Sequence, residues 1–108
     1  MNDIKTTLME YIPAGRENAI QAKELAHLLG INYRAVTMII HDLRAGGEVI
    51  CSDNSSDCNG FYKPTCKAEI EKFVKQMKSR TIKIKSALKP AEKALRDMEE
   101  LNINEITY

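Results

Sequence analysis

Apolar residues between positions 22 and 43 recur with the step of an amphipathic helix, twice over. Ala22, Leu25, Ala26 and Leu29 lie three and four residues apart, so a helix gathers them on one face. Val36, Ile39, Ile40 and Leu43 repeat the pattern in a second segment. Between the two, Gly30 can end a helix in the left-handed conformation, and Ile31 stands ready to plug the turn. Asn32 is a good N-cap for the second helix, because its side-chain oxygen can accept from a first-turn amide. The stretch Gln21–Arg44 therefore predicts a helix-turn-helix, with small Ala26 where the helices cross. Before it, Ile4, Leu8, Tyr11 and Ile12 mark one side of a helix over 3–12, capped by Asn2 or Asp3 and stopped by Pro13. The turn Pro13–Asn18 leaves room at Ala19-Ile20 for a very short strand. Gln21 and Glu24 have the spacing of a capping box, although Gln is a poor cap.

Beyond Leu43 the pattern changes. Arg44-Ala45-Gly46-Gly47 reads as a helix stop. Glu48–Cys51 and Phe61–Lys63 are short apolar or aromatic runs on either side of a polar loop, Ser52–Gly60, and together predict a β-hairpin. From Thr65 to about Leu101 the chain is rich in Lys and Glu and helical in propensity. Its apolar positions step by four and three in turn: Ile70, Val74, Met77, Thr81, Ile84, Leu88, Ala91, Leu95 and Met98. Such a heptad seam is the pattern of a coiled coil, with Thr81 and Ala91 as its imperfections. It predicts dimerisation, because so small a domain cannot cover so long a stripe by folding the helix back. Pro90 predicts a kink near Lys89 or a new helix starting there. The tail 102–108 is expected to fray, or to add a short contact through Ile103 and Ile106.

Three helices followed by a hairpin is the layout of a winged helix. The fold class expected is mainly α with a small β-hairpin wing, a winged helix-turn-helix over 1–64 followed by a long C-terminal helix over 65–101. The run Arg44-Ala45-Gly46-Gly47-Glu48-Val49-Ile50, followed by Gly60-Phe61-Tyr62, resembles the helix end, wing strand and return strand of biotin-operon-repressor-type winged-helix domains. It is also similar to small phage-encoded winged-helix proteins that carry a C-terminal helical tail. The resemblance covers about residues 18–64. It implies DNA binding by the second motif helix, with the hairpin touching the backbone or minor groove.

Charge modifies that picture. The 108 residues carry a formal net charge of +1, unevenly placed. Residues 1–64 hold 6 basic and 8 acidic side chains, whereas 65–108 hold 10 and 7. The motif region is thus slightly acidic, with Asp53 and Asp57 in the expected loop, which argues against strong non-specific DNA binding. Lys72, Lys75, Lys78, Arg80, Lys83, Lys85 and Lys89 follow one another with no acidic residue between them. They spread around a helix, as on a solvated coiled-coil exterior, but could also follow a phosphate backbone or grip an acidic protein. No run approaches the ~18 apolar residues of a membrane span and no signal segment is evident, so a cytoplasmic protein without a membrane partner is expected.

The candidate DNA-contacting residues lie on the outward face of the second motif helix. Arg34 offers a donor fork suited to a guanine edge, and Thr37 a hydroxyl or a methyl contact to thymine. Asn32 and Tyr33 could hold a phosphate with the first-turn amides. Met38 continues that face, His41 and Arg44 would reach backbone or bases depending on the docking angle, and Lys23 and Lys63 are further DNA-binding candidates. The alternative use of the same surface is an ordinary solvated face, or one on which Met38 meets a protein.

Enzymatic constellations are absent from the sequence. Neither His27 nor His41 has a local Cys or carboxylate at nucleophile-base spacing. Cys51, Cys58 and Cys66 are spaced by seven and eight residues, unlike the close pairs of structural zinc sites, and read as free thiols. No metal or other cofactor is expected.

The function expected is sequence-specific binding of double-stranded DNA by a homodimer, in a phage or mobile-element regulator. A protein-interaction module, contacting a repressor, a replication component or a host defence factor, is the alternative. A non-specific architectural DNA protein is a third.

Overall fold

The computed structural model describes the backbone over residues 3–55 and 58–106, and side chains over 3–54 and 59–101. The chain divides into two units, Met1–Phe73 and Val74–Tyr108. In the first, α1 (Ile4–Tyr11) is followed by a single 3-10 turn (Arg16–Asn18), then α2 (Ala22–Leu29) and α3 (Tyr33–Ala45). The antiparallel hairpin β1 (Cys51–Ser55) and β2 (Cys58–Tyr62) comes next, and α4 runs from Lys67 to Ile106. The fold is thus mainly helical, a helix-turn-helix with a β-hairpin wing and a long C-terminal helix.

Local chemistry sets the helix ends. Asp3 caps α1 by accepting from the Thr6 amide at 2.9 Å. That contact is the first cause that holds the Asp3 carboxyl below its usual range. Ile12 closes α1 in an extended conformation directly before Pro13, as the proline requires. Gln21 caps α2 without a side-chain hydrogen bond, so the expected capping box does not form. At the other end of α2, Gly30 adopts the left-handed conformation, φ 67°. The next amide, that of Ile31, returns to the Ala26 carbonyl at 3.0 Å. Asn32 then caps α3, its Oδ1 accepting from the Ala35 amide at 2.8 Å.

The apolar faces meet as their spacing dictates. Leu8, Ile12, Leu25, Ala26, Val36, Ile40 and Ile50 form one buried cluster, with Leu29, Ile31, Ile39 and Leu43 packed against it. Ile4 and Tyr11 lie at its margin, 40% and 44% exposed.

The hairpin differs from the expectation. Glu48–Ile50 is not a strand, and the segment expected to be a loop, Ser52–Gly60, forms most of the ladder. Two-stranded ribbons need only one inward face. Here Cys51 and Asp53 on β1 lie opposite Tyr62 and Gly60 on β2, and all four are buried, while the residues between them are more open. Polar outward positions concealed this alternation. The expected strand at Ala19-Ile20 is a single bridge, with amide–carbonyl bonds of 2.8 and 2.9 Å exchanged between Ile20 and Phe61. A second bridge joins Ala14 to Lys63, whose amide donates to the Pro13 carbonyl at 2.7 Å.

Gly60 permits the first of these bridges. Its φ is 141°, and a Cβ there would stand 2.4 Å from the Ile20 carbonyl oxygen. Both conditions exclude a side chain.

The α4 helix continues through Pro90. The expectation of a new helix at that point is therefore corrected. Proline removes one donor from the ladder, and Ala, Lys, Leu and Glu on both sides hold the remainder. Helix also extends to Ile106, over most of the segment expected to fray. The expected contact through Ile103 and Ile106 lies outside the described side chains. Among the described residues no helix is long and apolar enough to cross a membrane.

Gly60→Ala is expected to lower the unfolding free energy by ~1–3 kcal/mol from backbone strain, with the clash against Ile20 adding to it. Urea unfolding followed by circular dichroism measures the loss, and unchanged stability would show that the Ile20 bridge yields.

Candidate functional site

The outward face of α3 is built by the burial of its opposite face. Val36 and Ile40 are sealed in the core, which turns Tyr33, Arg34, Met38 and His41 outward. All four are exposed, Tyr33 by 56% and Met38 by 61%. Thr37 lies on the same face, half-buried, and its hydroxyl donates to the Arg34 carbonyl at 2.8 Å. A hydroxyl so engaged keeps its oxygen lone pairs and its methyl group for a ligand. Asn32 uses Oδ1 for its cap, leaving its amide nitrogen as the group that can meet a phosphate.

An open cleft of about 270 Å³ adjoins this face. Gln21, Ala22 and Lys23 at the start of α2 form one wall, Tyr33 another, and the wing a third, through Asn54, Asn59, Gly60 and Phe61. The structure thus brings Lys23 and Tyr33 together, as candidates for one surface. Asn54 and Asn59, cross-strand neighbours on the ribbon, were not singled out by the sequence. Their signal was the alternation along β1 and β2, hidden inside an apparent loop.

Two other expected residues sit differently. Lys63 is half-buried, and its backbone is bound on both sides to the segment 13–15. Arg44 was expected to reach DNA from the end of α3, but its guanidinium turns inward. Nε donates to the Ile50 carbonyl at 2.9 Å and a terminal nitrogen to Ser52 Oγ at 3.3 Å. The charge also stands 5.8 Å from the Phe61 ring centre and 5.0 Å from that of Phe73. These contacts tie the end of α3 to the wing and to α4, a use that a planar donor fork over aromatic faces serves well.

A buried carboxylate completes the framework. Asp53 has a 7% exposed side chain and pairs with Arg16 Nε at 2.5 Å and with Lys72 Nζ at 3.5 Å. Nearby, Glu69 accepts from the Arg16 amide at 2.9 Å and the Thr65 amide at 2.8 Å. The Arg16 amide, followed by that of Thr65, holds the Glu69 carboxyl below its usual range. Lys72, one of the expected basic run, is exposed but pairs with Asp53, and Lys75, Lys78, Arg80, Lys83, Lys85 and Lys89 are exposed as well.

Along α4 the heptad stripe is open. Ile70 and Val74 are 41% and 42% exposed, while Ile84, Leu88, Leu95 and Met98 range from 50% to 63%. Met77 is half-buried, and Thr81 and Ala91 are exposed, with the Thr81 hydroxyl bonded to the Met77 carbonyl at 2.9 Å.

Among the described residues no group of three His, Cys, Asp or Glu side chains is placed to hold a metal ion. Cys51 and Cys66 are free thiols, and Cys58 lies outside the described side chains. Burial pushes the Cys51 thiol up, which suppresses its thiolate. His27 and His41 are exposed on different helices.

No family model, curated protein or solved structure matches this chain.

Arg44→Ala is expected to cost about 1–3 kcal/mol of stability, from lost hydrogen bonds and ring contacts. Urea unfolding measures the loss, and unchanged stability would show that these contacts do not hold the end of α3 to the wing.

Burial also raises the Tyr62 phenol to about 12 from its usual 10. The folded chain keeps this proton longer than the unfolded chain does. Stability from this group is therefore complete below pH 10 and is lost as the pH rises through 12. Ultraviolet titration beside alkaline unfolding should show one tyrosine ionising late, and its absence would mean the phenol is reached by water.

Proposed function

We propose that the chain binds double-stranded DNA sequence-specifically as a homodimer, reading the major groove with α3. The observation that carries the reading is the exposed set Tyr33, Arg34, Met38 and His41 on a helix held rigidly from behind by Val36 and Ile40. A helix carried on a packed core can enter a groove without paying for its own ordering. Arg34 supplies the donor fork for a base edge, while Lys23, Tyr33 and the Asn32 amide address phosphates beside it. The ribbon with Asn54 and Asn59 lies next to this face, positioned to follow the backbone. The setting we favour is a phage or mobile-element transcriptional regulator, on the strength of the winged-helix resemblance.

A protein-binding use of the same face is the second reading, favoured by one feature. Met38 and Tyr33 expose apolar surface on a region whose residues 1–64 carry two more acidic than basic side chains. Aromatic and methionine side chains are common at protein interfaces.

Fluorescence anisotropy against DNA from around the chain's own gene, with scrambled DNA as control, tests both readings over a salt series. The expected result is a clear preference for the native fragment, with affinity falling steeply as salt rises. Arg34→Ala is expected to lose ~1–3 kcal/mol of that preference. Equal binding of both DNAs would favour an architectural role, and no binding at low salt would favour the protein partner.

A further inference from the structure

The heptad register of α4 assigns more than a dimer. Leu88 and Leu95 take the a positions, Ile84, Ala91 and Met98 the d positions, and the two flanks of the seam follow from these. Between residues 78 and 99 one flank, the e positions, carries Lys78, Lys85, Glu92 and Glu99; the other, the g positions, carries Arg80, Ala87 and Ala94. Beyond Glu71, which begins the e flank, the charge is therefore segregated, basic at Lys78 and Lys85 and acidic at Glu92 and Glu99. Every one of these residues is exposed, as are the seam positions between them.

We propose that a second copy of this chain covers the α4 stripe, and that the two helices run antiparallel, centred between Lys89 and Pro90. In an antiparallel pair, e positions face e positions and g positions face g positions. This alignment sets Lys78 against Glu99 of the partner subunit and Lys85 against Glu92 of the partner subunit, each twice by symmetry. Ala87 meets Ala94 of the partner subunit on the other flank, where small side chains let the helices approach. The core layers also match large with small: Leu88 against the partner's Ala91 and Thr81 against the partner's Met98. The two imperfections of the seam are thereby each filled by a larger neighbour.

The competing alignments lack this complementarity. A parallel pair sets g against the following e position, so Arg80 meets Lys85 of the partner subunit with no compensating ion pair, while Ala91 and Thr81 face their own copies. Sliding the antiparallel pair by one heptad brings Lys85 onto the partner's Lys85, or Glu92 onto the partner's Glu92, and keeps two opposite-charge e contacts where the assigned register has four. Like charges at these positions select against both. At 1.5 Å per residue, the assigned register places the two Phe73 residues about 50 Å apart along the helix axis.

This inference rests on the dimeric part of the reading above and is independent of DNA. Sedimentation equilibrium of the full chain, without DNA, tests it. The wild-type chain is expected to be a dimer. Lys78→Glu with Lys85→Glu should weaken self-association about tenfold or more, as should Glu92→Lys with Glu99→Lys. An equimolar mixture of the two double variants should recover the dimer, because every e–e contact between them is of opposite sign. That recovery also shows that both variants are folded. A parallel coil predicts the reverse for Lys85→Glu, which would relieve the Arg80 repulsion and tighten association. A monomeric wild-type chain, tightening by Lys85→Glu, or a mixture that fails to pair would overturn the proposal. A dimer with the expected charge response that ignores DNA would instead overturn only the DNA-binding reading.

Discussion

A carboxylate held out of water at Asp53 constrains more of the winged unit than any single apolar contact. Burying a charge is costly unless it is matched, and here the match comes from Arg16 in the 3-10 turn and Lys72 in α4. Such a pair contributes little net stability relative to an apolar core of the same shape, but breaking it costs roughly 3–5 kcal/mol. Its effect is therefore to specify. The wing must sit where β1 can present Asp53 to Arg16, and the first turns of α4 must start where Lys72 can reach the same oxygen. Glu69 reinforces this by accepting from the Arg16 amide at 2.9 Å. Three segments distant in sequence are thus fixed by one charged centre.

Arg44 makes a parallel link on another side of the same wing. Its fork reaches the Ile50 carbonyl and Ser52, with the Phe61 and Phe73 rings beside it. The end of α3, both strands and the start of α4 are thereby joined at one side chain. What remains outward on α3 is a short polar and aromatic face with its backbone immobilised, beside the cleft under the ribbon. Among the described residues no group of potential metal ligands is gathered.

The α4 helix has a different physical character in its second part. Its apolar positions are half or more exposed from Ile84 onward, and its hydrogen bonds among side chains are local, as in Lys93 to Asp97 at 3.0 Å. A helix of this length in water gains little from propensity alone and normally relies on packing of its apolar face. The stripe is therefore the clearest unsatisfied surface of the chain.

The helices and the core were legible because helical periodicity is local. Leu25, Val36 and Ile40 announce their burial by spacing alone, Gly30 and Asn32 declare the turn by chemistry that acts within four residues, and the α4 seam repeats every seven. The wing was only half legible. Its strands begin three residues later than Glu48 and occupy the apparent loop, because a ribbon with one polar face and a buried Asp53 offers no apolar run to recognise. Pairings such as Ile20 with Phe61, Arg16 with Asp53 and Arg44 with Phe73 join positions that no local rule relates, and they exist only once α1, α2 and α3 have packed. The sequence by itself determined which segments are helical, which faces are apolar and where α1, α2 and α3 stop, but not that α4 runs on through Pro90 to Ile106. Tertiary structure alone decided that Arg44 turns inward while Arg34 faces solvent, since the side a charged residue takes depends on what the fold brings within its reach.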